Sequence, residues 1–167
     1  MKKILVTFAT RAGSTVEVAA KIGEALSARG ATVDVRSIKN VRDVNGYDAV
    51  VIGSAIRMGS WLPEAVEFVK QNQARLSQLP TAIFTVHLLN RDDSAESRKA
   101  RQAYTAPVRQ IVTPQVEMFF AGKMDYAKLS WLDRTISQMM KSSEQDLRNW
   151  EAIRAWAQDL STTLAPT

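Results

Sequence analysis

KILVTFATRAGSTVEVAAKIGEALSARG, residues 3–30, decides the fold. Lys3 to Phe8 is short, apolar and β-branched, the composition of a strand buried on both faces. Thr15 to Arg29 then reads as a helix, with Val18, Ile22, Ala25 and Leu26 on one face at helical period and Gly30 as its stop. A buried strand feeding an amphipathic helix through a turn of small and hydroxylated residues is the first half of a βαβ unit. The rest of the chain continues the alternation. Ala31 to Ile38 alternates Val33 and Val35 with polar neighbours, as an edge strand does, and Asp48 to Ser54 holds the AVVIG run of a second fully buried strand. Leu62, Ala65, Val66 and Val69 mark a helix with Pro63 in its first turn, and Thr81 to His87 is a strand bounded by Pro80. Asp93 and Glu96 have the spacing of a capping box for a helix running toward Val112, which Pro107 is expected to kink or end. Val116 to Ala121 is a last strand, and Leu147 to Leu164 a last helix with Trp150, Ile153, Ala157, Leu160 and Leu164 inward. Such alternation gives an α/β fold, a parallel sheet covered on both faces.

Composition sets the bounds. At 167 residues one domain, 1–167, is expected, with an insertion at about 122–146 where Leu129, Leu132, Ile136 and Met139 have the spacing of an extra helix. Cysteine is absent and His87 is the one histidine, which excludes disulfides, thiolate nucleophiles and histidine or cysteine metal clusters, so no metal site is expected. The apolar run after Lys2 and Lys3 is too short for a signal peptide, and no apolar stretch reaches the length of a membrane span. A cytoplasmic location fits. The net charge of +5 favours anionic partners. Basic residues are interspersed with acids and no nucleic-acid motif is present, so no nucleic-acid partner is expected.

In an open parallel sheet, ligands bind beyond the carboxyl ends of the strands. After the first strand stand Thr10, Arg11, Ala12, Gly13, Ser14 and Thr15, which crowd hydroxyls, a glycine and backbone N–H groups around a helix N-terminus. That arrangement suits a phosphate dianion. Ser14 or Thr15 equally suits an ordinary helix cap. The turn is neither a Walker A loop nor a dinucleotide fingerprint. Ala9-Thr10 and Ser54-Ala55 stand where a phosphorylation receiver domain needs acids.

The Thr10-x-x-Gly13-Ser14-Thr15 turn resembles the phosphate loop of flavodoxins. Gly53-Ser54-Ala55-Ile56-Arg57-Met58-Gly59 is more similar to one branch, the menaquinone-dependent protoporphyrinogen oxidases. So are Thr85-Val86-His87-Leu88-Leu89-Asn90-Arg91 and Trp131-Leu132-Asp133-Arg134, in matching order along nearly the whole chain. The resemblance implies a flavodoxin-like doubly wound sheet of five strands in the order 2-1-3-4-5 and FMN as cofactor. It assigns Thr10, Arg11, Ala12, Gly13, Ser14 and Thr15 to the FMN phosphate. Ser54, Ala55, Ile56, Arg57, Met58 and Gly59 would run along the isoalloxazine, with Thr85, Val86, His87, Leu88, Leu89 and Asn90 on its other side. The family often has an aromatic where Met58 stands and Asn where His87 stands.

The implied activity is FMN-dependent transfer of electrons from a porphyrinogen-like substrate to a quinone, a step of heme biosynthesis. Two other readings fit the same fold: a flavodoxin-type electron carrier or NAD(P)H:quinone reductase with a redox-protein or nicotinamide donor, and a flavin-free binding domain. His87 and Arg57 are the candidate catalytic residues, His87 as a hydrogen-bond donor to the flavin and Arg57 as a cation beside it. A unit charge at ~7 Å with an effective dielectric of ~40 is worth ~1.2 kcal/mol, or roughly 50 mV for one electron. Trp61 either stacks on the flavin or packs on the neighbouring helix. Residues 123–141, with Lys123, Lys128, Arg134 and Lys141 among apolar positions, form a candidate peripheral contact with the cytoplasmic membrane face.

Overall fold

The computed structural model describes residues 1–124 and 145–164. Its strands are β1 (Lys3–Ala9), β2 (Thr32–Ser37), β3 (Ala49–Arg57), β4 (Ser60–Trp61), β5 (Thr81–His87), β6 (Val116–Ala121), β7 (Lys123–Met124) and β8 (Gln145–Asp146). The helices are α1 (Ser14–Ser27), α2 (Pro63–Gln71), α3 (Gln73–Leu76), α4 (Ala95–Arg109) and α5 (Trp150–Thr163). The main sheet has the order β2-β1-β3-β5-β6, parallel throughout, with β4 turned back antiparallel on β3. Counted among themselves, the five long strands stand in the expected order 2-1-3-4-5.

The period of two along each strand divides the core between two faces. Ile4, Val6 and Phe8 of β1 join Val18, Ile22 and Leu26 of α1 and Ile153, Trp156 and Leu160 of α5. Leu5 and Ala9 point the other way, into a second cluster with Leu62, Phe68 and Val69 around α2 and Val108 of α4. Burial on both faces is why the central strands read as unbroken apolar runs.

Several sequence expectations shift in detail. β3 does not stop at Ser54 but continues to Arg57 and returns through a hairpin. The cap of α4 is Ser94, whose hydroxyl accepts from the N–H of Ser97 at 3.1 Å, rather than an Asp93–Glu96 box. Pro107 lies inside α4, which runs on to Arg109. Buried Tyr104 and Val108 hold that last turn against the sheet and offset the lost backbone bond. The last helix begins at Trp150 because Asn149 caps it, its side chain accepting from the N–H of Ala152 at 3.0 Å. The helix expected around Leu129, Leu132, Ile136 and Met139, the Trp131–Arg134 segment and most of the candidate membrane contact lie outside the described residues. Among the described residues, no helix is long and apolar enough to cross a membrane.

Candidate functional site

Strand register brings the candidate residues to one edge. Ala9 pairs with Ser54, and Ser54 pairs with Thr85, so the segments that follow β1, β3 and β5 all leave the sheet beyond one row. The chain passes from β1 through α1 to β2 on one side, while β3 lies on the other, which makes the end of β1 a topological switch point.

The loop after β1 is shaped by its own side chains. The Thr10 hydroxyl accepts from the N–H of Gly13 at 3.1 Å, and Gly13 turns into α1 at φ 89°, a left-handed conformation that glycine adopts without a Cβ penalty. Gly13 is itself the cap position, and no side chain caps α1. Ser14 and Thr15 therefore do not act as caps. Thr15 is fully buried, and its hydroxyl has no hydrogen-bond partner. An uncapped helix N-terminus beside an orphan hydroxyl leaves donors unsatisfied, a donor set whose chemistry suits an anion.

Arg11, in the same loop, reaches across to Glu64 in the first turn of α2 with a two-pronged ion pair. Burial pushes the Glu64 carboxyl up, but the Arg11 guanidinium outweighs it and leaves the pKa below the ordinary value. This pair ties the loop after β1 to the helix that follows the β3–β4 hairpin.

At that hairpin Ile56 faces Trp61 and Arg57 faces Ser60. The two turn residues, Met58 and Gly59, have φ of 54° and 75°, the pair of left-handed residues that a type I′ turn requires. A methionine there costs about 1–2 kcal/mol, and its side chain is 78% exposed. Ser54 is buried, and its hydroxyl accepts from the N–H of Leu62 at 3.1 Å while donating to the Ala55 carbonyl at 2.7 Å. Its side chain thus organises the path into α2 and is used up within the fold. Arg57 is half-buried at the end of β3.

Beyond β5, His87 is 7% exposed, between the rings of Tyr104 and Phe119. Its Nδ1 lies 2.7 Å from the Leu89 carbonyl oxygen. Because a carbonyl only accepts, Nδ1 carries the proton and Nε2 the lone pair. Burial pushes the imidazole pKa down, so the ring is neutral near pH 7. Asn90, at φ 57°, donates from its amide to the Tyr104 hydroxyl at 2.7 Å. Arg101 of α4 fastens the same loop by donating to the carbonyls of Asn90 and Asp92.

Gly122, just past β6, explains how the insertion is rooted. A Cβ at this position would sit 2.7 Å from Val86 Cγ1 and 3.3 Å from Ser14 Oγ, so the chain passes hard against the first turn of α1. Leu147 donates back to the Gly122 carbonyl at 3.1 Å, and β7 pairs with β8. Arg148, its side chain 6% exposed, binds Glu17 of α1 and Asp146, and lies 4.6 Å over the ring of Trp150.

The three segments that the sequence reading singled out leave the sheet at one edge. That reading missed Arg11–Glu64, Arg101 and Arg148, whose partners are remote in the chain or are backbone carbonyls. A glycine directly after an apolar strand was the available signal for Gly122.

A family model described as a flavodoxin domain matches residues 5–149. The chain is 28% identical to a protein of Escherichia coli strain K12 named protoporphyrinogen IX dehydrogenase (quinone), over 95% of this chain and 94% of that protein. It is 25% identical to a Leishmania major protein of the same name, over 95% of this chain and 74% of that one. Among solved structures, oxidised flavodoxin 1 from Bacillus cereus superposes with a TM-score of 0.62 at 11% identity, covering 98% of this chain and 100% of that one. A short-chain flavodoxin associated with a bacterial microcompartment gives a TM-score of 0.59 at 16% identity, over 98% of this chain and 97% of that chain.

Proposed function

The chain belongs to the flavodoxin-domain family, and from that premise we propose that it is an FMN-dependent oxidoreductase of the protoporphyrinogen dehydrogenase type with a quinone as acceptor. The observation that carries the flavin is the uncapped start of α1 with the partnerless Thr15 hydroxyl beside Gly13. A phosphate dianion supplies the acceptor that these donors lack. The relatives named protoporphyrinogen IX dehydrogenase (quinone) support the substrate class.

When bound, FMN supplies reversible two-electron chemistry. The chain's own residues provide position and field. Thr10 sets the loop that lets Gly13, Ser14 and Thr15 hold the phosphate. Backbone groups of Ser54–Gly59 and Thr85–Asn90 flank the ring, with Arg11–Glu64 fixing the distance between the first two segments. His87, neutral, fixes the Leu89 carbonyl through Nδ1–H, and Arg57 brings positive charge to the end of β3. A basic chain of net charge +5 suits a carboxylate-bearing donor. The segment 123–141 is the contact with the cytoplasmic face of the membrane, where a quinone acceptor dissolves.

The test begins with the visible spectrum of freshly purified protein, which should show bound flavin. Gly13→Asp, placing a carboxylate against the phosphate, should abolish flavin retention without unfolding the domain. Wild type should then convert protoporphyrinogen to fluorescent protoporphyrin only with quinone present. A loaded protein that exchanges electrons with a redox protein and never accelerates this conversion is a carrier instead.

A further inference from the structure

A cleft of about 320 Å³ lies at the ends of β5 and β6, lined by His87, Arg91, Arg101, Met118, Phe119 and Ala121, and so adjoins the Thr85–Asn90 segment. Its chemistry is mixed in an informative way. Phe119 and Met118 give it an apolar wall, and Arg91 and Arg101 give it two guanidinium groups, which match a carboxylate in shape as well as charge.

The local charges favour an anion. His87 is neutral, and the positive charges of Arg101 and Arg91 add to burial in keeping it so. Arg101 is only 14% exposed and is fixed in place by the carbonyls of Asn90 and Asp92. Arg101 makes a loose ion pair with Asp93 at 3.9 Å, whose side chain is 97% exposed, so solvent screens that acid's hold on the guanidinium. The volume is at the lower end for ligand clefts and takes one edge of a large planar molecule rather than the whole of it.

We propose that this cleft binds the carboxylate-bearing edge of an aromatic or tetrapyrrole acid, with Arg91 and Arg101 on the carboxylate and Phe119 and Met118 against the adjoining ring. The choice of a tetrapyrrole rests on the function proposed above; the carboxylate chemistry rests on the cleft alone. Arg101 touches both the ligand and the loop that flanks the flavin, so it is a positioning residue for one and a binding residue for the other. Arg91 is the cleaner probe, because no described hydrogen bond of the fold depends on it.

The experiment measures binding of mesoporphyrin IX, a fluorescent dicarboxylate, and of its dimethyl ester, to the flavin-loaded protein and its variants. Arg91→Glu should raise the diacid Kd at least about tenfold, the worth of a charge-assisted hydrogen bond, with the flavin spectrum unchanged. The ester should bind wild type weakly and ignore the substitution. Arg98→Glu, exposed on α4 outside the cleft, carries the same charge change and should leave the diacid Kd where it was. Equal Kd values for wild type and Arg91→Glu overturn the proposal, as does an ester that binds as tightly as the diacid, or an Arg98→Glu effect as large as that of Arg91→Glu. The two proposals fail separately. Arg91-dependent diacid binding without quinone-linked turnover refutes the reaction and keeps the cleft. Turnover whose KM is untouched by Arg91→Glu refutes the cleft and keeps the reaction.

Discussion

The indole N–H of Trp61 donates to the hydroxyl of Thr85 over 2.8 Å, joining β4 to β5 beneath the hairpin turn at Met58 and Gly59. Trp61 is 2% exposed and belongs to the α2-side core, so it supports the hairpin from within and is not a stacking partner for a ligand. Trp61→Phe should destabilise the protein by about 1–3 kcal/mol, since it leaves the buried Thr85 hydroxyl unpaired. Adding Thr85→Val to that variant should restore part of the loss. Urea unfolding of the four proteins in this cycle measures both. Additive losses in the double variant would mean that the two side chains do not act through each other.

Thr15→Val should separate folding from binding. The orphan hydroxyl contributes nothing to the ligand-free fold, so the variant should unfold at the same urea concentration as wild type or higher. FMN affinity should fall about fivefold, near 1 kcal/mol, by loss of one hydrogen bond. Flavin fluorescence titration of stripped protein checks it. Unchanged affinity would remove Thr15 from the phosphate cradle.

His87 should make stability depend on pH. Burial holds its folded pKa below the ordinary 6.5, so as pH falls the unfolded chain takes up the proton first. The contribution is complete above about 6.5 and is lost as pH falls from there toward the folded value. His87 is the chain's one histidine, which isolates it between pH 5 and 8. Urea midpoints of wild type should therefore drop between pH 7 and pH 5, while those of His87→Asn stay flatter. Parallel curves would show that the imidazole is not buried in solution.

Arg148→Met should loosen the root of the insertion. It removes the ion pairs to Glu17 and Asp146 and the stacking on Trp150. Both acids are about half exposed, with side chains at 52% and 45%, so solvent screening limits the loss to about 1–2 kcal/mol. Arg148→Lys should recover little, because an ammonium cannot reproduce the planar fork. Thermal unfolding of the three proteins decides the matter, with full recovery by lysine as the contrary result.

The layered sheet was legible because β1, β3 and β5 are buried on both faces and so carry unbroken apolar runs. The uncapped start of α1 was legible because glycine and hydroxyl residues stand together between a strand and a helix. The β3–β4 hairpin was not, since Met58 occupies a left-handed position where glycine or asparagine announces a turn. Pro107 misled for a related reason: local propensity opposes a helix there, and the packing of Val108 overrides it. Arg11 and Glu64 are 53 positions apart, and Arg148 and Glu17 are 131 apart. No spacing rule joins such residues, and only the folded sheet edge brings them together.

The pairing of Lys123 with Asp146 and of Met124 with Gln145 closes the two ends of the insertion onto each other. Lys123 and Asp146, distant along the chain, therefore leave the fold side by side. Closure entropy grows slowly with length, by only about 0.6 kcal/mol for each doubling, so the entropic cost of joining these two ends depends little on how many residues lie between them. Gly122, next to the ladder, is packed against Ser14 and Val86 with no room for a Cβ. The ladder's energetic burden is thus nearly independent of that length, and its anchor is the close packing of Gly122 beside the first turn of α1.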